Sequence, residues 1–302
     1  MPSRRRTGKP GGEIMSKSTV VFVVLLLLPH YEDLFAQEDS VAAKQVRRIT
    51  LKDGSELVGT IESEDTAGTQ FKTVSGVGLT IPRSQIKLVE RLSGYASDGE
   101  YRSEDPNRTR LFLAPTARSL KNGQGYFSAY EIFFPLVAVG IADVVTLAGG
   151  ISLFPFASNQ LFYFAPKVTP VHVKNFHLAG GLLYVNGTSS VGDGVGIVYG
   201  LGTFEAPTAG LTVGLGWGFA RGDLENKPIV LLGGEVQLSN SAKLISENWI
   251  PPNTDLVFLS LGVRFFGERL AADFALIHPA GTGAQGFPFV PWIGFAYNFG
   301  AR

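Results

Sequence analysis

The chain has 302 residues, no cysteine, and 26 basic residues balanced by 26 acidic ones. This balance gives no basic excess for nucleic acid, and the lack of cysteine excludes disulfides, thiolate metal sites and a cysteine nucleophile. Charged residues make up only 17% of the chain, whereas glycine and phenylalanine number 37 and 22. Such a composition favours many strands, tight turns and little charged surface.

The N-terminal stretch predicts export. Nine apolar residues at 20–28 (VVFVVLLLL) follow Lys17 and a basic cluster further upstream, and the small residue Ala36 comes shortly after them. A positive flank, a short apolar run and a small residue form the pattern of a secretory signal peptide. We therefore predict a signal peptide over residues 1–36 and a linker over 37–45, with an uncleaved anchor as the alternative.

Residues 46–92 predict a small all-β module. The stretch LKDGSELVGTIESED places the Asp53–Gly54 turn between two alternating runs, which is a strong hairpin signal. With its mid-strand Gly59, this stretch resembles the first motif of the Sm-like family. The resemblance implies a five-stranded SH3-like or Sm-like barrel and, in that family, RNA binding. Because the chain is exported, we expect no nucleic-acid partner here but a periplasmic protein partner, with residues 93–107 as a polar linker.

From residue 108 to the C-terminus, nearly every segment alternates with the period of two that is typical of strands. Many of these segments have the roughly 9–11 residues that a tilted membrane strand needs. Twelve strands are predicted, over residues 108–117, 126–139, 144–154, 160–173, 176–186, 194–205, 210–221, 228–238, 242–250, 255–266, 269–278 and 288–299. Their connections alternate between long and tight, as in barrels with long outer loops and short periplasmic turns.

The two faces of these strands differ in bulk more than in charge. In 210–219 the larger residues alternate with glycine and threonine, and in 194–202 Ile197, Tyr199 and Leu201 alternate with smaller residues. A bulky face toward lipid and a crowded lumen explain this pattern. Residues 108–302 resemble bacterial outer-membrane β-barrels, through the signal peptide, the alternation and the aromatic last strand. The resemblance implies an all-β, transmembrane, antiparallel up-and-down barrel of about twelve strands, with the N-terminal module in the periplasm.

The barrel register predicts two sets of functional side chains. A lipid-facing aromatic stripe is predicted on the last strand, at Phe289, Phe295, Tyr297 and Phe299. A lumen-lining charged set is predicted at Arg110, Glu131, Lys167, Glu235, Arg264 and Asp273. These charges could line a polar path for a solute or form a balanced ionic network that fills the lumen. No cofactor or metal site is indicated.

The function predicted from these patterns is a porin-like channel or facilitator in the outer membrane, with lipid and a small solute as partners. One alternative is a structural or interaction protein with a filled lumen. Another is a lipid-acting hydrolase, because some twelve-stranded outer-membrane barrels, which this chain resembles in strand count, are phospholipases. No Gly-x-Ser-x-Gly motif flags a nucleophile, and His278 has no evident serine partner. The sequence leaves the channel and the filled barrel open.

Overall fold

The computed structural model describes residues 45–66, 68–97, 99–188, 194–281 and 288–300. The predicted signal peptide and nearly all of the predicted linker 37–45 lie outside these ranges. The described residues form strands, turns and one 3₁₀ turn at Arg83–Gln85. A search of the same residues for a helix long and apolar enough to cross a membrane finds none.

Five short strands follow one another in the predicted N-terminal module. They are β1 (Val46–Leu51), β2 (Glu56–Glu64), β3 (Gly68–Thr73), β4 (Gly78–Pro82) and β5 (Ile86–Arg91). They pair antiparallel in the order β4-β3-β2-β1-β5 around a small core of Ile49, Phe71 and Ile81. Asp53 and Gly54 turn the chain between β1 and β2, and Gly54 needs its positive φ of 90° there. The Sm-like nature of the module remains a prediction.

The stretch predicted as a polar linker contains a short hairpin, β6 (Gly94–Ser97) with β7 (Glu100–Ser103). Two contacts join the N-terminal strands, one from the hairpin and one from β1, to turns of the C-terminal sheet. Tyr95 Oη donates to the carbonyl of Pro207 at 2.9 Å. Arg48 of β1 forms an ion pair with Glu268 at 2.9 Å. Both contacts are exposed, so each contributes little to stability.

A closed antiparallel barrel follows. Its strands are β8 (Gly125–Tyr130), β9 (Phe134–Ile141), β10 (Val145–Ile151), β11 (Leu161–Phe164), β12 (Lys167–Val173), β13 (Phe176–Gly187), β14 (Val195–Ala206), β15 (Ala209–Ala220), β16 (Asp223–Leu224), β17 (Ile229–Ser239), β18 (Ala242–Ile250), β19 (Val257–Phe266), β20 (Leu270–Ala280) and β21 (Val290–Phe299). We call each position in the ring of strands a stave. β11 and β12 both pair with β10 and β13, so together they form one interrupted stave. β16 only extends the hairpin at β15. β21 pairs with β8 and closes the ring. The described residues thus form twelve staves, which confirms the predicted all-β barrel and its strand count.

The count is right, but two of the predicted strands are wrong. Residues 108–117 are not a stave, and they lie inside the barrel. The predicted strand 126–139 is two staves, β8 and β9, separated by a tight turn at Glu131 and Ile132. That turn requires positive φ at both residues, 48° and 65°. Tyr130 pairs with Phe134, so the loop has three residues. Positive φ ordinarily belongs to glycine or asparagine, so nothing in the local sequence marks this turn.

The connections give the barrel two distinct ends. At the end that we call the turn end, where β8 begins and β21 finishes, the staves are joined by short turns such as Lys174–Asn175 and Pro207–Thr208. At the opposite end, the loop end, most connections are longer, as at residues 152–160 and 251–256. The alternation of loop lengths expected from the sequence therefore applies to all these connections except the tight turn between β8 and β9.

The outer wall of the barrel is apolar. Residues whose side chains are exposed on it include Phe127, Val137, Phe164, Val168, Leu178, Val198, Val213, Leu215, Leu261, Phe265, Phe274, Leu276, Phe295, Tyr297 and Phe299. On β14 the predicted faces are reversed: Leu201 is only 5% exposed and faces the lumen, whereas Val198 is 47% exposed on the outside. Inward Leu201 fits because it meets Gly214 of β15, where an added Cβ would lie 2.4 Å from the leucine Cδ2.

Candidate functional site

A hairpin-like segment fills the turn-end half of the lumen. This segment, residues 105–120, is called the plug. Its tip is closed by a hydrogen bond from Leu111 N to Ala114 O at 2.8 Å, and its two arms by one from Thr116 N to Thr109 O at 2.9 Å. Leu111 and Ala117 are fully buried. The plug packs in a core with wall residues Ala179, Leu201, Leu231, Ile245 and Ala275.

The tip of the plug binds one carboxylate of the wall. Glu247 Oε2 accepts hydrogen bonds from the backbone N–H groups of Phe112, Leu113 and Ala114, at 2.9, 3.0 and 3.1 Å. Its other oxygen accepts one from the Trp249 indole N–H at 2.8 Å. Three converging N–H groups solvate a buried carboxylate that has no cation in its reach. Glu247 is therefore a docking point for the tip.

The base of the plug is held by Arg264, which is fully buried. Its Nε donates to Asp273 Oδ1 at 2.6 Å, its Nη1 donates to Asp105 Oδ2 at 3.0 Å, and its remaining N–H groups reach backbone carbonyls of the plug at Asn107, Arg110 and Leu111. Asp273 also receives Arg110 Nη1 at 2.5 Å. The planar fork of an arginine is suited to several acceptors held at fixed positions.

A second ionic cluster lies beside the first. Arg118 of the plug pairs with Glu235 at 2.6 Å and also with Glu205. Lys243 pairs with Glu235 at 3.1 Å and with Asp105 at 3.0 Å. Burial would raise the pKa of Asp105, but Lys243 and Arg264 outweigh burial and hold that pKa below its usual range. Asp105 is therefore a carboxylate at neutral pH.

The pairing of the wall strands shows that Asp105 is needed there. Lys243 and Arg264 stand directly opposite each other in the β18–β19 register. Two like charges facing across a strand pair are destabilising unless an anion lies between them. Asp105 Oδ2 is that anion, at 3.0 Å from both cations. Each cation also has a carboxylate of the wall, Glu235 for Lys243 and Asp273 for Arg264, so Asp105 connects two wall ion pairs to the plug.

Lys167 binds the C-terminal arm of the plug through backbone carbonyls and not through a carboxylate. Its Nζ donates to the carbonyls of Thr116 at 2.7 Å and Arg118 at 2.6 Å. On the facing wall, Thr203 Oγ1 accepts the backbone N–H of Ala117 at 2.8 Å. The plug consists of turns, bends and one internal bridge between Arg110 and Pro115, so these side chains supply partners that its backbone needs.

Glycines of the wall leave the space that the plug occupies. A Cβ at Gly233 would lie 2.1 Å from Leu111 Cδ1, and a Cβ at Gly210 would lie 2.6 Å from Arg118 Nη2. Both distances are far shorter than a van der Waals contact. The glycine-rich faces of the strands are therefore matched to individual plug residues.

Substituting Gly233 with valine should displace the plug tip while leaving the strand pairing intact. The added side chain collides with Leu111, and overpacking of this kind costs about 1–3 kcal/mol. We expect faster cleavage of the plug by protease added to the purified protein. Gly200→Val is the matched control, because nothing lies within 4 Å of a Cβ added there. Equal cleavage rates for the two variants would contradict the predicted displacement.

Two large cavities lie in the lumen, one on each side of the plug. One, of about 360 Å³, lies at the turn end and is lined by charged and polar groups that include Asp105, Arg118, Glu205 and Glu235. The other, of about 490 Å³, lies beyond the plug tip and is lined mainly by apolar and aromatic residues. No residue lines both cavities. A smaller cavity of about 80 Å³ beside the plug shares Asp105 and Arg108 with the first cavity and Thr109 with the second. The plug therefore narrows the lumen between the two large cavities.

No protein-family model matches the chain, and no curated protein matches it as a relative. Several solved structures are similar in part. The KdgM porin is 8% identical with a TM-score of 0.44, and the alignment covers 59% of this chain and 98% of that one. A mutant of the Rh. blastica porin is 10% identical with a TM-score of 0.33, covering 85% and 99%. OmpT of Vibrio cholerae is 12% identical with a TM-score of 0.30, covering 84% and 94%. The barrel assignment comes from the strand pairing of the chain itself.

The structure places the predicted lumen charges in three different settings. Lys167, Glu235, Arg264 and Asp273 are buried on the inner wall and contact the plug or its ion partners. Arg110 reaches the same network from the plug and not from a stave. Glu131 is outside the network, because it lies in the turn between β8 and β9, where its Oε1 accepts the N–H of Ile293 at 2.8 Å.

The predicted aromatic stripe lies on the outer wall. Phe289, Phe295, Tyr297 and Phe299 are 39%, 52%, 45% and 42% exposed. The intervening Ala296 and Asn298 are buried, and Asn298 Nδ2 donates to Asn107 Oδ1 of the plug at 2.9 Å. The contact of the stripe with lipid is part of the proposal below.

Several side chains of the site were not predicted from the sequence, namely Asp105, Arg118, Glu205, Lys243 and Glu247. Asp105 and Arg118 fall in segments that the sequence marks as linker and loop. Lys243 and Glu247 carry a usable signal, because they alternate with Ile245 and Trp249 on a single face of β18. A face that mixes two charges with large apolar residues points inward, where a partner can neutralise the charges.

Proposed function

We propose that this protein is an outer-membrane barrel that facilitates the passage of a small solute, with the plug as its gate. The first support is the outer wall, where apolar side chains surround a closed ring of strands. A soluble protein rarely exposes so extensive an apolar surface, whereas a closed barrel in lipid needs one. With an even number of staves, the module and the C-terminus lie at the turn end. In bacterial outer-membrane barrels, the end with short turns faces the periplasm.

The observation that carries the gating proposal is the position of the plug between the two large cavities of the lumen. The plug is bound to the wall by side-chain contacts at Glu247, Lys167 and Arg264, and it makes no strand pair with the wall. It can therefore shift without breaking the barrel ladder. Its N-terminal arm continues directly from β7, so a periplasmic partner that binds residues 46–92 could pull on it.

A disulfide lock tests the gate. Leu111→Cys with Gly233→Cys should cross-link the plug tip to β17, because a Cβ at residue 233 lies 3.4 Å from Leu111 Cγ, the position that the cysteine sulfur would take. The chain has no other cysteine. In planar bilayers the oxidised protein should stay closed, and adding a reductant should produce conductance steps like those of the wild type.

Each single-cysteine variant is a control that should behave as the reduced double variant does. Equal conductance before and after reduction would contradict the gate. A wild-type barrel that shows no conductance steps under any applied voltage would favour the second candidate function, a structural barrel with a permanently filled lumen. The balance of charges between plug and wall is the observation that favours this second candidate.

A further inference from the structure

The cavity beyond the plug tip has the size and lining of a ligand site. Its volume of about 490 Å³ falls within the roughly 300–1,000 Å³ of small-molecule pockets. Its walls carry large apolar and aromatic side chains from several staves, among them Leu183, Ile197, Tyr199, Trp249, Phe258 and Trp292. Tyr130 stacks on Trp292 with ring centroids 5.8 Å apart, which fixes the aromatic side of the cavity.

The floor of the cavity is formed by the plug tip and is itself apolar. Leu113 lies at the tip and lines the cavity, and it remains 53% exposed although the residues on either side of it are buried. Full burial of a leucine side chain is favourable by about 1.5–3 kcal/mol relative to leaving that side chain in water. A ligand seated on the tip would cover Leu113, and it would be bound in part by that burial.

The charged groups at the floor direct their hydrogen bonds to the plug. Lys167 Nζ donates to plug carbonyls, and Glu247 uses Oε2 for three plug N–H groups and Oε1 for Trp249. Arg110 directs Nη1 to Asp273 and lies over the ring of Tyr130 at 5.2 Å. Arg110 Nε and Nη2 and Trp292 Nε1 have no hydrogen-bond partner among the described residues, so a neutral acceptor such as a carbonyl oxygen could bind to them. A carboxylate would lose its hydration for a guanidinium whose charge Asp273 already balances, which is costly.

We propose that this cavity binds one uncharged, mainly apolar molecule of aromatic size, which reaches the plug tip from the loop end. This inference rests on the proposed function, because it names the class of solute that the barrel would take up. Binding at the tip would also place the ligand against the gate itself, through Leu113 and the backbone held by Glu247.

Equilibrium dialysis of the full chain in lipid nanodiscs, with 2-acetylnaphthalene as the probe, tests the site. Empty nanodiscs give the partitioning into lipid. We expect one saturable site per barrel above that background. The charged analogue 2-naphthoate has the same ring system, and we expect it to bind on the order of tenfold more weakly because its carboxylate would be desolvated.

Matched substitutions separate the cavity from the outer wall. Ile197→Trp fills the cavity and should lower the affinity for 2-acetylnaphthalene on the order of tenfold, a loss of about 1.4 kcal/mol. Val198→Trp, the next residue on the outside of β14, should leave affinity unchanged. Leu183→Trp with Leu182→Trp repeats the pair on β13, in case the first inward variant does not assemble.

The absence of saturable binding, or wild-type affinity in both inward variants, would overturn the proposal. Binding of 2-naphthoate as tight as that of the ketone would overturn the claim that the ligand is uncharged. These outcomes are independent of the gate, because dialysis measures occupancy and needs no passage. Saturable binding in a barrel that never conducts would contradict only the proposed function, and conductance without saturable binding would contradict only this site.

Discussion

A barrel that begins at Ser119, placed behind the predicted signal peptide, should form a constantly open and weakly cation-selective channel. Removing residues 45–118 removes the module and the plug up to Arg118 but none of the twelve staves. The lumen wall keeps seven charged groups that face the plug in the complete chain. Three are cations and four are carboxylates: Lys167, Lys243, Arg264, Glu205, Glu235, Glu247 and Asp273.

We expect cation selectivity because the lumen wall has one more carboxylate than it has cations. Charged side chains in a water-filled lumen determine which ions pass. The measurement is the conductance in planar bilayers, with the reversal potential in a potassium chloride gradient. Glu235→Gln in the same truncated barrel should bring the selectivity close to neutral. Glu131→Gln is the matched control, since that carboxylate lies in the turn between β8 and β9.

A truncated barrel that folds but does not conduct would contradict the claim that the plug is what closes the lumen. Folding is checked by heat-modifiable migration on a gel, a property of intact barrels that does not depend on conduction. Anion selectivity would show that the inward-facing charges are assigned incorrectly.

The sequence predicts the barrel well because the residues of a membrane strand alternate between two faces. This alternation is present in the sequence wherever there is a strand. The same signal misleads at residues 108–117. This segment alternates and is half apolar, as a membrane strand would be, but it folds into turns and bends, and side chains of the wall bind it where a strand would otherwise pair. The difference is tertiary, because Arg110 and Arg118 find their carboxylates on β17 and β20, more than a hundred residues away.

It is equally hard to predict from a single strand which of its two faces points into the lumen. β14 turns Ile197 and Leu201 into the lumen, while β15 turns Gly214 and Gly216 inward beside them. Large side chains on the inner face of β14 occupy the space that the glycines of β15 leave, so β15 fits the assignment of large residues to lipid and β14 does not. The register of the pair, and the plug that must fit between walls, decide the orientation. Neither is visible in a single segment.

Replacing Arg264 with methionine should have the largest effect of any single substitution on the plug. The change would leave Asp273 with Arg110 alone and Asp105 with Lys243 alone. It would also remove the donors to plug carbonyls at Asn107, Arg110 and Leu111. Loss of one partner from a buried ion pair typically costs about 3–5 kcal/mol. We expect a loss of that size in the free energy of unfolding, measured by denaturant titration in detergent.

Arg264→Lys should rescue little of this loss, since an ammonium cannot reproduce the fork that reaches two carboxylates and three carbonyls. Phe265→Ala is the control for the strand, because its side chain is 58% exposed on the outer wall. The same proteins should differ in plug cleavage by added protease, with Arg264→Met cleaved fastest. If Arg264→Lys were as stable as the wild type, charge alone would hold the plug, and the geometry of the guanidinium would have no part in closing the barrel.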